Sequence, residues 1–398
     1  MTEPARLALV DRALKEAPAH ELAEVLDEEL RKHYCAISSE IYLIDLRLAL
    51  LEPVLASTAP GVPLVGTPAG RAYCDQVPVR EAVGGGVVLN LPMAVRGDRV
   101  GVLNVRLPEL PGATGTDELV ALAGTVAHAI TLAEVATDRY RRARRPERLT
   151  LAAEMQWQLL PVRAVDGKSY RLAGQLEPAY AVRGDNFDWS QEAETLTVAV
   201  TNGMGEGVTA SMLTTLAITA LRNARRSGAD LVEQAALADQ AVWSHHTGAQ
   251  YVATLLIQLD LQSGSVLAID AGSPRIWRVR QDGVAPISLE AQLPLGLFDG
   301  TEYVTQRFEL EAGDRLFILT DGIYGAVLAD RNYTMTSLRR ALQSSRLLPP
   351  AEAVRALMSD LRAFLRDQEL DDDAVAVCLD WLGPHRVAEK PVLPPSTS

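Results

Sequence analysis

Val198-Ala-Val-Thr-Asn-Gly-Met-Gly-Glu-Gly207 is the stretch from which the fold of this chain is read. The apolar, β-branched run Thr195–Thr201 predicts a strand. Asn202-Gly203 and the glycines at 205 and 207 break it in a turn. Apolar spacing then predicts a helix over about Gly207–Arg226 and a second over Asp230–His245, with His245-His246 suiting its C-terminal dipole. The turn mimics a phosphate-cradling loop, but it lacks the Lys-Ser/Thr of a P-loop and the rest of a dinucleotide βαβ unit.

Further strands are expected at Tyr251–Asp260, Ser265–Asp270, Arg275–Arg280, Tyr303–Leu310, Asp314–Thr320 and Ala374–Trp381. Helices are expected at Met335–Ser344 and Ala351–Asp367. Strands in hairpin-like succession flanked by helices suggest stacked antiparallel sheets with helices outside. Acidic residues recur at the strand ends: Asp185 and Asp188, then Asp321 after Leu316–Thr320, then Asp371-Asp372-Asp373 before the last strand. Several rigid carboxylates meeting at one sheet edge make a hard, oxygen-rich site suited to Mg²⁺ or Mn²⁺. Two such ions activate a water and stabilise the leaving oxygen of a phosphate ester.

Upstream, a helical pattern from Leu7 to Leu30 is broken at Pro18, with Leu22, Val25, Leu26 and Leu30 on one face. Strand-like runs follow at Ala36–Asp45, Leu48–Ala56, Gly84–Met93 and Arg99–Arg106, and a helix at Asp117–Ala136. That order reads as a compact α+β module with an antiparallel sheet. The charged connector carries Arg139, Arg141, Arg142, Arg144, Arg145 and Arg148, and Pro146 predicts a break near Arg145. It reads as a solvated linker; a signalling helix or dimer-forming coiled coil is the alternative, motivated by the helical spacing of Leu149–Leu160. The boundaries expected are 1–136, 137–164, 165–382 and a proline-rich, disordered tail over 383–398.

A chain of 398 residues, 48% of them hydrophobic, is long enough for two or three globular domains. Its formal net charge of −13 argues against a generic nucleic-acid binder. Cys35, Cys74 and Cys378 have neither metal nor disulfide spacing and are expected as reduced, buried thiols. No signal-peptide pattern opens the chain, and no apolar run approaches the roughly 20 residues that span a bilayer, so a soluble, cytoplasmic protein is expected. His33 and His128 are lone histidines and suggest no metal or haem site. Trp157, Trp189, Trp277 and Trp381 are expected as core or interface anchors.

Taken in order, the motifs over about 150–382 resemble the PPM-type metal-dependent protein phosphatases, specifically the SpoIIE/RsbU-like branch. They are Met155-Gln-Trp-Gln-Leu-Leu-Pro161, Glu177-Pro-Ala…Arg183-Gly-Asp-Asn-Phe-Asp-Trp189, Asp270-Ala-Gly-Ser-Pro274, Pro294-Leu-Gly296, Ala312-Gly-Asp314, Leu319-Thr-Asp-Gly-Ile323 and Asp372-Asp373. The resemblance implies a helix-flanked β-sandwich with two Mn²⁺ or Mg²⁺ ions held by Asp185, Asp321, Asp372 and the Gly203 carbonyl. It implies attack by a metal-bound water rather than by a catalytic side chain. The implied substrate is a phosphoserine or phosphothreonine protein, such as an anti-sigma antagonist. The first region resembles a GAF sensory domain, in Gly70–Val79 and Val100–Val105, which implies a small-molecule ligand of unknown identity.

The chain departs from the branch at telling positions. Asn202 stands where the family has the aspartate that bridges both metals, so that ligand position keeps an oxygen but loses its charge. Arg183 replaces a glycine and brings a cation to the site, where it can instead contact a phosphate. Glu206 and Ser273 replace frequent basic or histidine residues. Three readings stay open: a sensor-regulated phosphatase with weakened catalysis, a catalytically inactive pseudophosphatase that binds a phosphoprotein in signalling, and a purely structural partner-switching scaffold.

Overall fold

The computed structural model describes residues 3–56, 58–145, 148–179, 182–366 and 368–385. The chain divides into two compact units, one of residues 1–150 with 162–165, the other of 151–161 with 166–398. The tail expected to be disordered lies, from 386 onward, outside the described residues.

In the first unit, the break at Pro18 separates α1 (Glu3–Glu16) from α2 (Leu22–Tyr34). Strands β1 (Ser38–Ile44), β2 (Leu50–Pro53), β3 (Val62–Pro63), β4 (Val79–Val83), β5 (Gly86–Val95) and β6 (Asp98–Leu107) form one antiparallel sheet in the order β3-β2-β1-β6-β5-β4. Alternation along β1 decides the layers. Ile41 and Leu43 join Leu22, Leu26 and Leu30 of α2 and Leu122 and Val126 of α4 (Ala113–Ala133) in one core. Ile44 joins Ala69, Ala72 and Tyr73 of α3 (Pro68–Asp75) in another. Thr67 caps α3, accepting from the Gly70 N–H at 3.0 Å, with Pro68 at the first helical position.

The connector is partly folded into this unit: α5 (Arg139–Ala143) buries Tyr140, whose hydroxyl donates to the Ala19 carbonyl at 2.9 Å. The helix ends at Ala143, as the proline at 146 predicts. Cys35 corrects the expectation of three buried thiols. It occupies the left-handed position that closes α2 and is exposed, whereas Cys378 is buried. The short strand β7 (Ala164–Asp166) lies where the units divide.

The second unit opens with α6 (Leu151–Leu159). Its first sheet has the order β15-β12-β11-β10-β9, built from β9 (Asn186–Gln191), β10 (Thr195–Gly203), β11 (Val252–Asp260), β12 (Ser265–Ala271) and β15 (Gln306–Glu309). Its second runs β14-β13-β16-β19-β8, from β8 (Tyr170–Glu177), β13 (Arg275–Arg280), β14 (Gly283–Ile287), β16 (Arg315–Leu319) and β19 (Ala374–Trp381). All pairings within both are antiparallel. The central strands β10 and β19 are buried along nearly their whole length, so both faces of each sheet are covered. Helices α7 (Gly207–Arg226) and α8 (Leu231–His246) cover the first sheet, where Leu221, Leu231 and Ala235 meet Ala199, Leu256 and Ile269. α11 (Pro350–Phe364) packs on β8 and β19. The inner faces meet where Gly174 of β8 leaves room for the rings of Phe187 and Trp189. The result is a helix–sheet–sheet–helix sandwich.

Short elements fill the loops: α9 (Asp321–Tyr324), the ribbon of β17 (Val327–Leu328) and β18 (Arg331–Asn332), and α10 (Arg339–Ser344). Two expectations are corrected here. The strand expected over Tyr303–Leu310 shrinks to Gln306–Glu309, because Tyr303 turns inward to hydrogen-bond the buried Asp239 carboxylate at 3.0 Å. The helix expected from Met335 begins instead with a π-helical turn, Thr334–Leu338. Strands β8, β9 and β14 were not anticipated.

Candidate metal and phosphate site

Antiparallel order brings the acidic strand ends together. In the first sheet, β9 begins beside the end of β10, with Asn186 paired to Thr201, which sets Asp185 next to Asn202. In the second, β16 ends beside the start of β19, with Leu319 paired to Ala376, which sets Asp321 and Asp372 at that same end. Two glycines permit the close approach. A Cβ on Gly203 would lie 2.6 Å from the Thr214 hydroxyl, and one on Gly322 would lie 2.0 Å from the Asp373 carbonyl oxygen.

The four carboxylates differ in how their charge is answered. Asp373 is fully buried and accepts from the backbone N–H groups of Ala179, Arg183, Gly184 and Asp185, at 2.8, 2.8, 2.8 and 3.2 Å. It also accepts from Gln156 Nε2 of α6 at 2.6 Å. Burial still raises its pKa, against the pull of those donors. Asp372 accepts from the Asp373 N–H at 2.8 Å; burial, then the Asp321 charge, push its pKa up to about 6, with Arg183 opposing. Asp321 accepts from the side-chain amide of Asn202. Asp185 is fully buried, and neither carboxylate oxygen has a hydrogen-bond partner among the described residues. Burial, then Asp373, raises its pKa well above the usual range, Asp372 and Asp321 add to this, and the nearby Thr320 hydroxyl offsets only part.

An unpartnered buried carboxylate facing other carboxylates requires a cation or a proton. Its hard oxygen surroundings fit Mg²⁺ or Mn²⁺. Among the described residues, however, no three His, Cys, Asp or Glu side chains stand grouped to hold a metal ion. The fit therefore rests on the orphaned Asp185 charge.

Every residue expected at the site is in this neighbourhood: Asp185, Asn202, Gly203, Asp321, Asp372 and Arg183. Arg183 is half-exposed, its Nη1 lies 3.9 Å from Glu206 Oε2, and its Nε has no partner among the described residues. Asp188 does not join them. It sits mid-strand in β9, buried, and is held by Arg222 at 2.8 Å and Arg225 at 2.9 Å. Sequence reasoning missed Gln156, which also donates to the Asp185 carbonyl at 2.7 Å. The signal was available: a glutamine within the apolar stripe of α6, beside Ala152, Ala153 and Leu159.

Comparison with known proteins follows the same half of the chain. Residues 192–382 match the family model for Stage II sporulation protein E (SpoIIE). The chain is 27% identical over 217 residues to Stage II sporulation protein E of Bacillus subtilis (strain 168), covering 53% of this chain and 26% of that protein. It thus spans about a quarter of that relative's length. The solved PP2C phosphatase domain of SpoIIE from Bacillus subtilis, with a fragment of its regulatory domain, is 23% identical. Its TM-score is 0.48, over 55% of this chain and 66% of that one. The RsbU and RsbW domains of a Mycobacterium tuberculosis protein are 23% identical at a TM-score of 0.47, over 55% and 63%. Among the described residues, no helix is long and apolar enough to cross a membrane.

Proposed function

Because this chain carries a SpoIIE-type PPM phosphatase domain, we propose that it acts on a phosphoserine or phosphothreonine protein, with catalysis weakened by Asn202. The observation that carries this reading is the fully buried Asp185 carboxylate, without a hydrogen-bond partner among the described residues and near Asp321, Asp372 and Asp373. A bound Mn²⁺ or Mg²⁺ would polarise a phosphate oxygen and lower the pKa of water.

The chain's own residues supply the rest. Asp185, Asp321 and Asp372, with the Gly203 carbonyl, would supply the oxygen donors for the cation. The half-exposed guanidinium of Arg183 is proposed to take a phosphate oxygen. Asp373 and Gln156 hold the loop that carries Arg183 and Asp185. The first unit is proposed as a GAF-like sensor for a small molecule, with domains at 1–136 and 165–382 joined by a connector that supports a homodimer. By analogy with the family, the partner is proposed as an anti-sigma antagonist in the cytoplasm.

A second reading, a pseudophosphatase that binds a phosphoprotein without turnover, is favoured by one contact. The Asn202 amide donates to Asp321, engaging a carboxylate that a fully active site would leave to the metal. Hydrolysis of a phosphoprotein and of p-nitrophenyl phosphate with Mn²⁺ separates the two. The proposed phosphatase turns over weakly, gains from Asn202→Asp and loses all activity in Asp321→Ala. No turnover by the native chain, with phosphoprotein binding retained, supports the pseudophosphatase; turnover unaffected by Asp321→Ala excludes this site.

A further inference from the structure

The two departures Asn202 and Ser273 touch each other. The Asn202 amide nitrogen has two N–H groups; one donates to Asp321 Oδ1 and the other to Ser273 Oγ at 3.4 Å. The Tyr324 hydroxyl donates to the Ser273 carbonyl at 2.7 Å, so its proton is committed. The Ser273 hydroxyl, 3.0 Å from the Tyr324 oxygen, is then the donor of that pair and remains free to accept from Asn202. Every proton in the chain Asn202–Ser273–Tyr324 has one assignment. The reverse amide orientation would set its oxygen against the Asp321 carboxylate, so the nitrogen faces Asp321. Arg275 over the Tyr324 ring, 4.6 Å from its centroid, holds the far end.

Resting on the phosphatase-site reading, we infer that this chain holds one divalent cation rather than two, with the Asn202 amide standing in for the second at Asp321. Hydrogen bond by hydrogen bond, three of the four carboxylates have a donor without a second ion, although burial still raises the pKa of Asp372 and Asp373. Asp373 is answered by five donors, Asp372 by the Asp373 N–H and Asp321 by Asn202. Of the four, Asp185 is the one whose two carboxylate oxygens have no hydrogen-bond partner among the described residues. An aspartate at 202 would oppose Asp321 with a like charge and need a cation between them. Asparagine removes that charge and supplies a donor in its place. Ser273 is then a positioning residue: it orients the amide and does not itself meet the cation.

The test counts ions, using Mn²⁺ alone on the full chain by calorimetry and by the loss of free-Mn²⁺ electron paramagnetic resonance signal. One Mn²⁺ per chain is expected for the native protein, two for Asn202→Asp and none for Asp185→Asn. Two ions on the native chain, or none at millimolar Mn²⁺, overturns the inference. So does Asn202→Asp that folds normally by circular dichroism and still binds one. The native count stands whether or not that variant folds. Because stoichiometry is read without turnover, failure of the phosphatase reading appears only in the hydrolysis assay.

Discussion

Gln156 Nε2 donates to Asp373 Oδ2 at 2.6 Å, tying α6 to the carboxylate that accepts from the backbone N–H groups of Ala179, Arg183, Gly184 and Asp185. Both groups are buried. Removing the carboxylate strands four backbone N–H groups, each costing about 1–3 kcal/mol when buried and unpaired. Asp373→Ala is therefore expected to destabilise the second unit by at least about 4 kcal/mol. Gln156→Leu should cost less. A double-mutant cycle by denaturant unfolding should give a coupling above about 0.5 kcal/mol; additive effects would mean that the contact carries no energy.

Asp188 tests a different role for an aspartate only three residues from Asp185. Its two arginine partners leave it structural. Breaking a buried pair costs about 3–5 kcal/mol, so Asp188→Asn should lower stability on that scale while leaving Mn²⁺ stoichiometry unchanged. Loss of cation binding in a folded Asp188→Asn protein would place Asp188 at the site after all.

The glycines at the site make a steric prediction. Gly322→Ala would drive a Cβ to 2.0 Å from the Asp373 carbonyl oxygen. Overpacking of this kind costs about 1–3 kcal/mol or more, because backbone must move. Gly84→Ala, with nothing within 4 Å of the added Cβ, should change stability by less than about 0.5 kcal/mol. Thermal unfolding of both variants checks the contrast, and equal shifts would refute it.

Asp372 sets a pH dependence. Burial and the Asp321 charge hold its pKa at about 6, above its ordinary value. A carboxyl with a raised folded pKa binds its proton more tightly folded than unfolded, so its contribution favours the fold at low pH. That contribution is lost as pH rises from about 4 through 6. In chelator, native protein should lose more melting temperature between pH 5 and pH 7.5 than Asp372→Asn, and Mn²⁺ should restore part of the loss at pH 7.5. Parallel pH profiles for the two proteins would contradict this.

Local patterns made much of the second unit legible. The helix read over Gly207–Arg226 has those bounds, and the strand read over Thr195–Thr201 extends only two residues, to Gly203. Both rest on near-neighbour signals: an apolar run, then glycines, then 3.6-residue spacing. β9 was opaque for the opposite reason. Asn-Phe-Asp-Trp-Ser-Gln looks too polar for a buried strand, yet Asp188 is paid off by Arg222 and Arg225, 34 and 37 residues away. Glu177 and Gln175 are likewise buried in β8, which also passed unread.

The acidic positions and the Asn202 departure could be listed from the chain alone, because strand ends and turns are written in local chemistry. Which carboxylate lacks a partner could not. Asp373 draws its donors from residues roughly 190 positions away, and Asn202 meets Asp321 across 119. Hydrogen bonding and electrostatic repulsion act through space over a few ångströms, so only the folded antiparallel sheets set these groups against one another. That convergence leaves Asp185 without a hydrogen-bond partner among the described residues and gives the Asn202 amide its proton acceptor.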